Sequence, residues 1–508
     1  MADHQDFLSR IEPRLSDREW RLDNLYFIQD PAGKKVPFRR NEAQRLLWEN
    51  LWYLNVILKA RQLGMSTQIV ITLLDICLFN SNIQAGIIDW TLDDANAKLE
   101  KAQFAYDNLP DFLKAAKPLR KKNTEEMQWE NGSGLSVGTS YRGGTLQYLH
   151  VSEFGKIAAK FPEKAREIKT GAFGTVHKGQ FIFVESTAEG NGGAFYDMVQ
   201  TAEKAQQQGM PLTELDFRLH FFPWWKHPGY RLDPASVLID TELAAYFAEL
   251  AVLEIALDAE QKAWYAAKRR QIGPDDMFRE YPSTPEEAFK ASIEGAYFKT
   301  QMSRLRLAKR IGRVPHDPSK PVNTFWDIGK WDSTTIWFHQ SYGNLHHLID
   351  YYENSGEGVE FYARQLKEKA LARGFVYGRH LGPHDLDNSH WVLPAGRATI
   401  DVAKDLGIAF EVVPRIDDKM QAIEAARNFL SMCWIDEEHC AEGIKALDNY
   451  RKEWDDRLAT YKKTPLHDWA SHGADSLMTG ACGFTPDFIP PPTDKYQRQR
   501  SRGSAWAA

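Results

Sequence analysis

Cysteine is scarce: Cys77, Cys433, Cys440 and Cys482 are the only four in 508 residues, and no two form a CxxC pair. Zinc ribbons and dithiol redox centres need such pairs, so both are excluded and the four are read as reduced thiols. Long apolar runs are missing too. No stretch approaches the roughly 20 residues of a membrane-spanning helix, and the opening MADHQDFLSRIEPRL carries charge where an export signal has an apolar segment. Neither export nor membrane insertion is expected. There is no excess of positive charge: the formal net charge of -6 excludes a histone-like coat for DNA and leaves open only local basic patches. No internal repeat is visible. What the chain does have is 43% hydrophobic residues, enough for the cores of two or three domains.

Between about residues 50 and 200, apolar runs alternate with helical patterns: WYLNVILKA then STQIVITLLDICLF, IQAGIID then TLDDANAKLEKAQFAYDNL, TLQYLHVSE then PEKAREIK, and QFIFVES then GGAFYDMVQTAEKA. This alternation predicts an α/β domain with a mostly parallel sheet between helices, over residues 1–280, with a helical subdomain near 236–272. A Pro-containing segment, 281–320, reads as the linker. The second half opens with strand, turn and strand (TFWDIG, TTIWFHQSYGNLHHLIDYYEN), then alternates helices and strands. Three early antiparallel strands followed by that alternation predict a ribonuclease H-like domain with a mixed sheet over 321–484. Residues 485–508, rich in Pro, Gln and Arg, read as a disordered basic tail.

Lys59 to Thr67, KARQLGMST, lies between an apolar strand and an apolar helix, where a phosphate-binding loop works by aiming helix N-terminal N–H groups at an anion. The usual G-x-x-x-x-G-K-[ST] would begin at Lys59 and put its lysine at Met65. Met65 cannot meet phosphate charge, so Arg61 or Lys59 is expected to supply the cation. Gly64 keeps the turn, Ser66 stands where a hydroxyl would reach Mg²⁺, and Thr67 is a further nucleotide-binding candidate. Further on, GTSYRGGTLQYLHVSEFGK places Arg142 in a glycine-flanked loop and Glu153 at a strand end, and VESTAEGNGG follows another strand.

In the second half, carboxylates sit at strand ends and on a late helix: Asp327 in FWDIGKWDST, Asp385 in HLGPHDLDN, Asp468 and Asp475 in LHDWASHGADSLM. Two-metal phosphodiester cleavage needs such acids clustered around ions about 4 Å apart. Each Asp alone is equally a turn residue or helix cap, a reading that applies most to Asp332, Asp387 and Asp468. His467 and His472 have no partners at zinc spacing and are read as neighbours of the acidic site.

Together these pieces, over roughly residues 35 to 480, resemble the large subunit of tailed-phage terminases, whose phosphate loop carries the same displaced basic residue. The resemblance implies ATP hydrolysis that drives double-stranded DNA into a procapsid, and a nuclease that cuts concatemers. By the same resemblance Gln44 of FRRNEAQ reads adenine. Glu153 deprotonates the water that attacks the γ-phosphate while Arg142 offsets charge on the transferred group. Ser186, Thr187 and Ala188 match the coupling motif, and Asp327, Asp385 and Asp475 match the nuclease acids, with Asp468 as nearest substitute. Where the family has Asp-Glu at the strand end, this chain has Ser152-Glu153, so the metal shell rests on Ser66, water and nucleotide oxygens, or on Ser152 through a water. Implied cofactors are ATP with Mg²⁺, and two Mg²⁺ or Mn²⁺ for cutting. Implied partners are the portal protein, a small terminase subunit and further copies in a ring, a pentamer in the family, with the protein in the host cytoplasm and docked at the portal vertex during packaging. A helicase-like repair translocase with a nuclease, or an assembly adaptor that has lost its chemistry, are the competing readings.

Overall fold

Each apolar strand run followed by an apolar helix folds as the alternation predicts. The structure, a computed structural model, describes residues 12–141, 144–290, 293–329, 333–386, 399–458 and 460–485. The chain divides into two units, residues 1–296 with 451–463, and residues 297–450 with 464–508.

The first unit holds α1 (Glu42–Glu49), β1 (Leu54–Lys59), α2 (Met65–Phe79), β2 (Gln84–Ile88), α3 (Leu92–Asp107), β3 (Leu119–Lys122), β4 (Glu126–Trp129), β5 (Gly134–Gly138), β6 (Leu146–Ser152), α4 (Phe154–Lys160), β7 (Val176–Ser186), α5 (Ala194–Gln207), β8 (Phe217–Phe222), α6 (Thr241–Val252) and α7 (Ala259–Ile272). The eight strands of its main sheet lie in the order β8-β1-β7-β6-β2-β5-β4-β3. All neighbours are parallel up to β5, and β4 and β3 add an antiparallel edge. Both faces are covered: Ile57 points into one core while Val56 and Leu58 point into the other. A strand side chain buried this completely contributes about 1.5–3 kcal/mol, which is why such central strands read as continuous apolar runs. The loop between β1 and α2 lies at the carboxyl edge of the strands, where open α/β sheets bind ligands.

The second unit holds α8 (Lys299–Leu307), β9 (Ile311–Gly312), β10 (Val322–Asp327), β11 (Ser333–Tyr342), β12 (Leu345–Ser355), α9 (Val359–Arg373), β13 (Tyr377–Gly382), α10 (Thr399–Asp405), β14 (Phe410–Val412), α11 (Lys419–Ser431), β15 (Cys433–Asp436), α12 (Ala441–Asn449) and, after a hairpin, α13 (Trp469–Gly483). Strand order is β9-β15-β12-β11-β10-β13-β14. The β10-β11-β12 meander is antiparallel, and β13 and β14 follow parallel to β10, the ribonuclease H-like arrangement expected from the sequence. Phe325 and Trp337 pack toward α13, and Trp326, Ile336 and Phe338 fill the core beneath α9.

Three features differ from expectation. The segment 281–320 is not a linker: Glu287 is buried and accepts hydrogen bonds from Tyr246 and the Ser283 amide, and Met302 and Leu305 on α8 belong to the second core. The unit boundary instead falls between Ala296 and Tyr297. Strands β3 to β5 are additional, β3 being mostly charged and exposed as edge strands often are. Finally, residues 451–463 return to the first unit, where the buried Arg451 guanidinium donates to the Ala159 carbonyl (2.8 Å from Nε) and Trp454 lies against Trp90 and Lys160.

Candidate functional site

The loop after β1 is built by its neighbours. Gly64, the N-cap of α2, has φ 76°, and a Cβ there would stand 2.7 Å from Gln44 Nε2. Only glycine suits this position. Gln62 is also left-handed, at φ 58°. From behind, the Gln44 side-chain amide donates to the Gly64 carbonyl (2.8 Å) while its oxygen accepts from the Asn41 N–H (2.9 Å), and Asn41 Nδ2 donates to the Leu63 carbonyl (3.0 Å). Gln44 thus holds the loop in shape, and its amide is engaged there and not on the cavity wall.

In front of the loop opens a cavity of about 1000 Å³, lined by Leu63 to Thr67, Asp89, Trp90, Asp94, Glu153 and six cations: Lys59, Arg61, Lys98, Lys101, Lys156 and Lys160. Six cations against three acids, at the N-terminus of a 15-residue helix, favour an anion. Lys59 is buried, with Nζ 3.0 Å from Glu185 and 3.6 Å from Glu153. Burial alone would lower its pKa, but the two carboxylates raise it, so it stays charged. Arg61 is half-exposed and ion-paired with Glu280. Lys101 reaches the Thr67 hydroxyl at 3.4 Å; burial, then the charge of Lys98, lowers its pKa, the behaviour of an ammonium in want of a counter-anion.

Glu153 follows β6 in a left-handed conformation (φ 52°, ψ 39°), uncommon for a side chain of this size. Its carboxylate is partly exposed to the cavity and lies 3.3 Å from Lys156. Behind it, Glu185 is fully buried at the end of β7. One oxygen accepts from Ser66 Oγ (2.5 Å) and Ser152 Oγ (2.8 Å), with His150 Nε2 at 3.3 Å, and the other faces Lys59. Burial would push this carboxyl up, but Lys59 and the hydrogen bonds hold it well below the ordinary range. Ser186, Thr187 and Ala188 are buried next to it, and Gly155 lets α4 lie on them: a Cβ at 155 would meet the Thr187 carbonyl oxygen at 2.7 Å and Ser186 Oγ at 2.8 Å. Arg142 lies outside the described residues.

In the second unit, Asp327, Asp385 and Asp475 line one cavity of about 390 Å³. Asp327 ends β10, Asp385 lies in the turn three residues beyond β13, and Asp475 projects from α13. Lys419 Nζ is 2.8 Å from Asp475, and His472 Nδ1 is 3.3 Å from Asp327. Burial, then the charge of Asp327, pushes the Asp475 carboxyl up to about 6 against the pull of Lys419. The three do not close into a ligand cluster: among the described residues, no group of three His, Cys, Asp or Glu side chains is placed to hold a metal ion. Asp468 is the N-cap of α13, accepting from the Ala470 amide (3.0 Å), and is not on the cavity wall. His467 adjoins Ser471 and His472. Asp332 and Asp387 lie outside the described residues, as do residues 486–508 of the expected tail.

Sequence reasoning missed Glu185, Lys98, Lys101 and Lys419. Glu185 could have been found, since it closes the apolar run QFIFVE at a strand's carboxyl end, where open α/β sheets bind ligands. The lysines carry no such signal, since lysine is common along helices throughout the chain.

Among the described residues no helix is long and apolar enough to cross a membrane. No family model matches the chain, and no curated protein matches it. Among the solved structures similar in fold are three phage proteins. The bacteriophage HK97 large terminase is 12% identical at a TM-score of 0.44, over 92% of this chain and 98% of that one. The large terminase of the thermophilic bacteriophage D6E in complex with ADP is 11% identical at a TM-score of 0.31, over 87% and 98%. The large terminase nuclease of the thermophilic phage G20c is 11% identical at a TM-score of 0.26, covering 38% of this chain and 100% of that one.

Proposed function

We propose that this chain is the large subunit of a tailed-phage terminase, an ATPase that translocates double-stranded viral DNA and an endonuclease that cuts it. The observation that carries this reading is the presence in one chain of a cation-lined phosphate-loop cavity and, in a separate ribonuclease H-like unit, a cavity walled by three aspartates.

In the first unit, nucleotide phosphates lie against the N-terminal turn of α2, with lysines from β1, α3 and α4 and Arg61 offsetting charge that Met65 cannot. Glu153 holds the attacking water and takes its proton, and its strained backbone fixes the carboxylate in place. Arg142 supplies the opposing guanidinium. Ser186, Thr187 and Ala188, packed under α4, move with it as the γ-phosphate is lost. The hydroxyl–carboxylate pair of Ser66 and Glu185 suits a Mg²⁺ ion, held through Ser66.

In the second unit Asp327, Asp385 and Asp475 share one cavity wall and would have to draw together from their present placement to hold two Mg²⁺ or Mn²⁺. The Lys419 ammonium beside Asp475 marks where positive charge is wanted. When bound, the ions supply an activated water and stabilise the leaving oxygen of the cut phosphodiester. His472 orients Asp327. The reading also expects a portal, a small DNA-recognising subunit and a ring of copies as partners, in the host cytoplasm at the procapsid vertex.

Supercoiled plasmid incubated with the purified protein and Mn²⁺, Mg²⁺ or EDTA tests the nuclease half. Metal-dependent linearisation by the native chain, lost in Asp327→Ala, is the expected result. No cutting with any metal overturns that half of the reading.

A further inference from the structure

In a phosphate-loop ATPase the loop hydroxyl and a strand-end aspartate together hold the metal side of the nucleotide. Here the strand-end position before Glu153 is Ser152, which has no carboxylate to offer. Yet the loop hydroxyl still meets one. Ser152 on β6 and Glu185 on β7 are direct partners in the parallel ladder, so their side chains leave the same face of the sheet. Ser66 Oγ and Ser152 Oγ both donate to Glu185 Oε1, at 2.5 and 2.8 Å, while Lys59 Nζ stands 3.0 Å from Oε2.

We propose that Glu185 is the metal-side carboxylate of the ATPase site, supplied from the neighbouring strand in place of the residue that Ser152 replaces. The assignment rests on the motor reading above and names a ligand-shell residue that reading leaves open. β7 lies between β6 and β1, with Glu185 opposite Ile57, so its carboxylate stands one strand nearer the loop than Ser152 does. A counter-ion for Lys59 alone is a poorer account. Glu153 already stands 3.6 Å from Lys59, and a counter-ion role leaves unexplained why one of the donors to the far oxygen is the loop hydroxyl of Ser66 itself. Glu153 and Glu185 then divide the work. The strained, partly exposed Glu153 handles the attacking water, and the buried Glu185 fixes Ser66 and the ion.

The test is Mn²⁺ affinity, read by electron paramagnetic resonance of the full-length protein with ADP, alongside ADP affinity in EDTA. Glu185→Gln is expected to weaken Mn²⁺ binding in the presence of ADP by at least about tenfold, the scale of losing one supporting carboxylate. ADP binding in EDTA falls by less than Mn²⁺ binding does, and an equal fall in both overturns the assignment. Adding Ser152→Asp to Glu185→Gln restores Mn²⁺ affinity, a rescue that a merely structural glutamate would not give. Should Glu185→Gln fail to fold, Glu185→Asp keeps the charge beside Lys59 and still weakens Mn²⁺ binding by displacing the carboxylate. Native Mn²⁺ affinity in the variant that folds, or no rescue by Ser152→Asp, overturns the assignment. Failure of the native chain to bind ADP at all overturns the motor reading and takes this one with it.

Discussion

Gly64 and Asp468 show how much hangs on single positions. At Gly64 a methyl group would collide with Gln44 and force a left-handed alanine, so Gly64→Ala is expected to lose nucleotide binding and about 1–3 kcal/mol of stability. Fluorescent ADP binding and thermal unfolding check both. Asp468 caps α13, a task asparagine performs as well, so Asp468→Asn is expected to keep metal-dependent cutting within a few-fold while Asp475→Asn loses it. Equal loss in both would return Asp468 to the ligand set. At this scale the sequence was readable where a residue's type and its place at a strand end agreed, as for Glu153 and Asp327. It was not readable for Glu185, whose contact with Ser152 is set by the register between neighbouring strands. Nor was it for Gln44, whose amide turns to the loop backbone.

Helix α13 is placed by what it lacks. A Cβ on Gly480 would fall 2.1 Å from the Phe325 ring, and one on Gly473 would fall 2.8 Å from the Tyr351 hydroxyl. Gly480 lets the helix bearing Asp475 lie close on the strand bearing Asp327, and Gly473 lets it lie close on β12. Gly480→Ala is therefore expected to cost about 1–3 kcal/mol by overpacking and to lower plasmid cutting more than ATP hydrolysis. Denaturant unfolding followed with both assays tests this. Among elements, the strand–helix alternation and the β10-β11-β12 meander were legible because buried strands and amphipathic helices leave different periods in the sequence. Strands β3 to β5 were not, since LRKK carries edge-strand charge in place of an apolar run.

Across the whole molecule, each unit has a cavity lined by residues that the sequence singled out, Lys59, Ser66 and Glu153 in one and Asp327, Asp385 and Asp475 in the other, but the sequence misjudged where one unit ends. Short helices across 281–320 looked like a linker because their anchors are polar and buried, as with Glu287. The return of residues 451–463 to the first unit was equally hidden, in a segment that is mostly charged. Trp454, against Trp90 and Lys160, is expected to stabilise the first unit, so Trp454→Ala should lower its thermal midpoint while leaving the Asp327 cavity able to cut. The central claim is that one chain carries two separable activities, and the most direct measurement is ATP hydrolysis and Mn²⁺-dependent plasmid cutting assayed side by side on Glu153→Gln and Asp327→Ala. The account predicts that Glu153→Gln loses about 10²- to 10⁴-fold in ATP turnover, the worth of a general base, and still cuts, while Asp327→Ala hydrolyses ATP and does not cut. Loss of both activities in either folded variant, or of neither, would contradict it.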